Sequence, residues 1–286
     1  MDRQARLGDN QYGKAEIRVM KVDRDRPRHV LHDLTVDVAL AGDMDAVHLT
    51  GDNSTVLPTD TQKNTVYAFA REHGVEQVED FALLLARHFV GTVDSVHRAT
   101  VTVHEHHWER LADHSFARSG RETRTATVAH DGTGTTIRSG LRDLVLLNST
   151  GSEFQGFATD DYTTLAETDD RILCTSVEAR WRHGETQADW RASYDAVRSA
   201  LTTAFADTYS RSLQQTLYAM GARVVATCHG VSEVRLRLPN VHHFLVDLEP
   251  FELDNPGEVF HVDDRPYGLI EASVLADGAT ADAGAW

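Results

Sequence analysis

The sequence predicts an α+β fold made of two similar halves, each pairing antiparallel strands with two helices. Three observations carry that expectation. Apolar residues alternate with period two near the start, they step by three and four residues between Val66 and Phe89, and the same order of patterns returns in the second half. At 286 residues the chain is long enough for about two domains of roughly 100 to 200 residues each. They are placed at 1–139 and 140–286.

The elements follow in order. Gly13 to Val22 alternates, with Ala15, Ile17 and Val19 on one face; His29 to Leu40 alternates again through Val30, Leu34, Val36 and Val38, so an antiparallel pair is expected. Gly51 to Asp60 is turn-rich. A helix then carries Val66, Tyr67, Phe69 and Ala70 to a stop at His73-Gly74, with Thr59, Asp60 or Thr61 as N-cap. Val78, Phe81, Leu84, Leu85, His88 and Phe89 mark a second amphipathic helix. Val101 to Trp108 and Thr123 to Val128 read as strands split by a polar segment.

The second half opens with strands near Gly140 to Thr150 and Ile172 to Arg182. A helical region from Asp195 to Cys228 shows one face at Val197, Leu201, Ala204 and Phe205 and another at Leu213, Leu217, Met220 and Val224. The pattern pauses at Asp207 to Ser212, which predicts a break with a fresh N-cap at Ser210 or Ser212. Leu213 and Gln214 then fall in a first helical turn, where free N–H groups and the positive dipole end favour an anion. Val234, Leu236 and Leu238, then His243, Leu245 and Asp247, read as two strands around Pro239-Asn240.

Composition narrows the function classes. The formal net charge is −16, the wrong sign for a general nucleic-acid coat, which needs clustered Lys and Arg. No apolar stretch approaches the roughly 20 residues needed to span a bilayer, and the N-terminus has no apolar signal region. Cys174 and Cys228 are too few for a disulfide framework and are read as reduced, structural thiols. There is no GxSxG, P-loop or GxGxxG after a strand.

His104, His106 and His107 beside Glu105 invite a metal reading, yet on a strand His107 points away from the other two and no further ligand pair completes a chelate. A polar strand surface is the alternative, and no metal site is assigned. Asp60-Thr61, Asp169-Asp170 and Asp263-Asp264 suit solvated loops as well as acid/base chemistry. What remains is a scattered set at the edges of regular elements: Lys14, Thr59, Arg171, Gln214, Asn240 and His242.

Several blocks give these positions a common meaning. They are Gln11-Tyr12-Gly13-Lys14, the run from Pro58 to Tyr67, Ser149-Thr150-Gly151-Ser152-Glu153-Phe154 with Gly156-Phe157, and Tyr162-Thr163-Thr164-Leu165. Asp170-Arg171-Ile172-Leu173, Pro239-Asn240 with His242-His243-Phe244, and Arg265-Pro266-Tyr267-Gly268-Leu269-Ile270 continue the series. In this order, from residue 11 to about 272, the chain resembles the urate oxidase (uricase) family.

The resemblance implies two tandem tunnelling-fold (T-fold) domains, sheets that join into a barrel, and a homotetramer with active sites at subunit interfaces. It implies oxidation of urate by O2 and water to 5-hydroxyisourate and hydrogen peroxide, with no cofactor. Carried over, Lys14, Thr59 and His242 form the proton relay. Phe154 stacks on the purine, Arg171 clamps it, and Gln214 with the Leu213 N–H meets its amide edge. Leu165 and Ile270 line the pocket, Asp60 contributes mainly through its backbone, and Asn240 faces the O2 side of the ring. A planar anion suits stacking plus a guanidinium fork. The base role of Lys14, acting through the Thr59 hydroxyl, belongs to its neutral amine.

The sequence departs from the family's usual Pro-Asn-Lys-His in having Val241 at the third position, which is expected to remove a cation beside the site. The C-terminal Ala-Asp-Ala-Gly-Ala-Trp is not a Ser-Lys-Leu peroxisomal address, so a cytoplasmic enzyme is expected. Two alternatives stay open from sequence: a metal-dependent purine or pterin enzyme of the same fold, and a purine-binding homologue without turnover.

Overall fold

The computed structural model describes residues 5–120, 122–184 and 189–282. The last residues of the C-terminal hexapeptide, 283–286, lie outside the described residues. The chain divides into two compact units, Met1–Gly140 and Leu141–Trp286.

The first unit runs β1 (Tyr12–Asp23), β2 (Val30–Gly42), α1 (Asp45–Leu49), α2 (Thr59–Glu72), α3 (Val78–Thr92), β3 (Val96–Glu105), β4 (Trp108–Arg110), β5 (Phe116–Arg118) and β6 (Thr123–His130). Its sheet order is β1-β2-β3-β6, with β1-β2, β2-β3 and β3-β6 antiparallel, while β4 and β5 form a separate hairpin. One sheet face carries Leu34, Val36, Val38, Leu40, Val101, Val103, Ala126 and Val128, all buried. Against it α3 packs on β3 and β6 and α2 on β1. Each such fully buried Val, Leu or Phe contributes about 1.5–3 kcal/mol over an exposed one.

β7 (Thr135–Asn148) leads into the second unit, which continues with β8 (Leu173–His183), α4 (Trp190–Asp207), α5 (Leu213–Thr227), β9 (Val231–Leu245), a 3-10 turn at Glu249–Phe251 and β10 (Phe260–Leu275). The strand order is β7-β8-β9-β10, with β8-β9 and β9-β10 antiparallel. Its core joins Leu173, Val177 and Trp181 of β8 to Leu201 and Phe205 of α4, Leu213, Leu217 and Met220 of α5, and Val234, Leu236 and Leu238 of β9. Helix α5 lies close on β9 and β10: a Cβ at Gly221 would sit 2.5 Å from Val274 Cγ2. Among the described residues no helix is long and apolar enough to cross a membrane.

The α+β class with antiparallel sheets is as expected, and so is the break between α4 and α5, whose cap is Ser212. Four local expectations are corrected. The alternation through Ala15 fails, because a bulge in β1 leaves Ala15 exposed. The strand predicted at Val101 to Trp108 ends at Glu105, and Trp108 opens the β4–β5 hairpin. That hairpin is pinned by buried Asp33, which accepts from Trp108 Nε1 at 2.9 Å and pairs with Arg118 and Arg18. The two strands expected around Pro239-Asn240 are one continuous β9, because Pro239 and Asn240 stay in register with Leu269 and Gly268 of β10, and Asn240 with Thr175 of β8. Finally, α2 is capped by Pro58 without a side-chain hydrogen bond, so Thr59, Asp60 and Thr61 lie inside the helix.

Candidate active site

In the first unit, register decides where Lys14 goes. Lys14 pairs with Val38 and Ile17 with Val36, so Ala15 and Glu16 together oppose Asp37 alone. This bulge is held by the Glu16 N–H, which donates to Asp37 Oδ1 at 2.5 Å while Glu16 adopts φ 55°. A strand residue shares a face with its partner across the pair, so Lys14 stands on the helix-bearing face with buried Val38. Gly13 beside it is required, since a Cβ there would lie 1.8 Å from the Val38 carbonyl oxygen. The Tyr12 hydroxyl donates to Leu57 O at 3.1 Å and accepts from Leu57 N at 2.9 Å, fixing the approach to α2.

Helix α2 starts at Thr59, and its first intrahelical bond is Gln62 N–H to Pro58 O. The Thr59 and Asp60 N–H groups therefore precede the hydrogen-bonded ladder. The Asp60 carboxylate is occupied within the helix, by Lys63 Nζ at 2.5 Å and Asn64 Nδ2 at 3.0 Å. Its pKa is lowered, first by the Lys63 hydrogen bond and charge and, last, by the charge of Lys14. The charge of Lys14 thus reaches the first turn of α2.

In the second unit, a loop frame does the positioning. Phe154 and Thr168 exchange backbone hydrogen bonds of 2.9 and 3.1 Å, and the Arg171 N–H donates to Ser152 O at 2.9 Å. On the other side Ser152 bridges Ser210: Glu153 N–H donates to Ser210 O at 2.8 Å and Ser210 N–H to Gly151 O at 3.0 Å. Ser210 leads into Ser212, the N-cap of α5, which accepts from Gln215 N. The frame therefore carries Phe154 and Arg171 to the start of the helix that bears Leu213 and Gln214. Arg171 Cζ lies 5.1 Å from the Phe154 ring centroid, and Phe154 stacks on Phe157 at 5.0 Å and 14°. Burial alone lowers the Arg171 pKa; no carboxylate of the described residues faces it. In α5 the first intrahelical bond is Thr216 N–H to Ser212 O, which leaves the Leu213 and Gln214 N–H groups ahead of the ladder.

On β9, Asn240 and His242 keep the phase of buried Leu236 and Leu238 and so stand on the helix-bearing face. Asn240 pairs with Thr175 and Gly268, His242 with Asp263, and Ile270 with Leu238. Leu165 stands apart from these contacts, 58% exposed in its loop.

The uricase family model matches residues 10–129 and 137–271. A uricase of Arthrobacter globiformis is 50% identical over 282 residues, covering 98% of this chain and 93% of that protein. One of Dictyostelium discoideum is 36% identical over 280 residues, covering 94% and 97%. The crystal structure of the Arthrobacter globiformis uricase matches with a TM-score of 0.95 over 98% of both chains. The chain belongs to the uricase family.

Within this uricase-family chain the histidine cluster is engaged locally. His104 Nε2 lies 3.7 Å from Asp37 Oδ2, and His106 Nε2 lies 2.8 Å from Thr35 Oγ1. Among the described residues no three His, Cys, Asp or Glu side chains gather as a metal would require. The acidic pairs also have local partners: Asp170 accepts from Thr150 Oγ1 and Gly151 N–H, and Asp263 from Arg265 N–H. Val241 pairs with Cys174, on the face opposite Asn240 and His242. The residue that departs from the family pattern therefore lies on the other face of β9 from Asn240 and His242.

Sequence reasoning missed Tyr12, Asp37, Ser152 and Ser210. Tyr12 and Ser152 lie in quoted blocks and Ser210 is a cap candidate, but their roles need contacts with distant segments, such as that of Tyr12 with Leu57. Asp37 looks like any polar strand residue, and the serines look like loop polarity. Their partners are 19 to 58 residues away in sequence, beyond the reach of any local pattern.

Proposed function

We propose that this chain oxidises urate with O2 and water to 5-hydroxyisourate and hydrogen peroxide, without a metal or organic cofactor. The observation that carries the reading is Arg171, an uncompensated, partly buried cation over the Phe154 ring at the start of α5. A flat anion fits that arrangement: its face meets Phe154, its charge meets the guanidinium fork, and its amide edge meets Gln214 and the Leu213 N–H.

Lys14 takes a proton from urate by way of the Thr59 hydroxyl, leaving an electron-rich dianion. Two electrons pass from the dianion to O2, held beside Asn240, and two protons complete hydrogen peroxide. Water adds at C5, its proton moving through His242 and Thr59. One urate, one O2 and one water give one 5-hydroxyisourate and one peroxide. The units 1–139 and 140–286 act as tandem T-fold domains, and their sheets pair with those of neighbouring subunits into a barrel. The site closes between subunits of a cytoplasmic homotetramer, with Asp60, Leu165 and Ile270 at its rim.

Oxygen uptake by chelator-treated protein, followed together with peroxide and the fading urate absorbance, tests this. Equal stoichiometry without added metal is the expected result. Uptake restored only by a metal points to the metal-dependent purine or pterin reading, and urate binding without uptake to a homologue that has lost turnover.

A further inference from the structure

Ser152 is fully buried, and its chemistry is unusual for the partner of an arginine. Its Oγ accepts the Arg171 Nε–H at 3.3 Å and its carbonyl accepts the Arg171 backbone N–H at 2.9 Å, so one residue holds both ends of the arginine. In a chain with 44 acidic residues, this guanidinium is oriented by a neutral hydroxyl. A carboxylate in that place would fix the same geometry but would also cancel the charge. The hydroxyl fixes direction only. With Nε engaged, the two Nη groups are left as a planar fork with its positive charge intact. The frame around Ser152 is itself immobilised, by the bridge to Ser210 and by the Phe154–Thr168 pair.

We infer that Ser152 is a positioning residue for Arg171, fixing the guanidinium plane for an anionic planar ligand while leaving its charge unspent. The inference rests on the urate-oxidising reading and adds a determinant of anion affinity to it. It separates orientation from charge: loss of the hydroxyl weakens binding of the anion and leaves the chemical step largely as it was.

The test compares wild type, Ser152→Ala, Arg171→Ala and the double variant in steady-state urate oxidation. Ser152→Ala is expected to raise KM about 5- to 20-fold with kcat within about twofold, the scale of one oriented hydrogen bond. In the Arg171→Ala background the same change is expected to have no further effect on KM. Xanthine inhibition gives a second readout: its anionic form loses affinity in Ser152→Ala and its neutral form does not. A serine that merely supports the loop would move both forms alike and would still act without Arg171. If Ser152→Ala does not fold, Ser152→Cys, which keeps the size and weakens the acceptor, is expected to show the same split at smaller amplitude. An unchanged KM in either folded variant, or an additive double variant, overturns the inference. Absence of urate-dependent oxygen uptake in the wild type sinks the reading beneath it instead.

Discussion

Arg171 lies with Cζ 5.1 Å from the centroid of the Phe154 ring, and no described carboxylate shares that space. Cation and ring thus stand together, with Phe157 stacked on the same ring. Arg171→Lys keeps the charge and loses the planar fork, so KM for urate is expected to rise about 10- to 100-fold, more than kcat falls. Steady-state kinetics at constant ionic strength check this, and a KM equal to wild type would show that charge alone suffices.

Lys14 emerges on the helix-bearing face beside the start of α2. Lys14→Met is expected to cut turnover about 100- to 10,000-fold, the usual scale for a positioned acid/base group. Urate affinity, titrated without oxygen, is expected to stay near wild type. Unchanged turnover would remove Lys14 from the relay.

Val241 faces away from Asn240 and His242. Val241→Lys, which restores the family's usual residue, is therefore expected to leave the urate KM within about twofold at physiological salt, where exposed charges are screened beyond about 8 Å. A tenfold drop in KM under those conditions would place position 241 at the site after all.

His183 is buried edge-on to Trp190, ring centroids 5.0 Å apart, and burial lowers its pKa from the ordinary 6.5 to about 4. The unfolded chain thus takes up the proton first. Stability is complete above about pH 6.5 and falls as the pH drops toward 4, by as much as about 3 kcal/mol from this group. Denaturant unfolding across that range checks the slope. His183→Phe is expected to flatten it, and an unchanged slope would assign the acid sensitivity to other groups.

Much of the fold was legible because its signals are local. Helix faces at Val78 to Phe89 and the break before Ser212 follow from spacing and capping chemistry, and the first-turn position of Leu213 and Gln214 followed from the same cap. The bulge in β1 was not legible. Its left-handed residue is Glu16, where a Gly or Asn would have marked the turn of the backbone. Pro239-Asn240 misled for the opposite reason, having turn chemistry inside a strand. At the site, the chemistry-bearing side chains could be named from the resemblance. The parts that aim them could not, since Ser152, Ser210 and Asp37 act through contacts between distant segments.

The extra residue in β1 means that Lys14 owes its place to counting. Were Ala15 and Glu16 to pair evenly with β2 in place of bulging, Lys14 would slide from Val38 to Ala39, and the amine would emerge among the threonines and His104 on the other side of the sheet. Such a chain would still carry every side chain named for the reaction, and the family motifs would still be readable in it. An inventory of retained residues is thus a poor guide to activity in this lineage; the bulge between Lys14 and Ile17 must form as well.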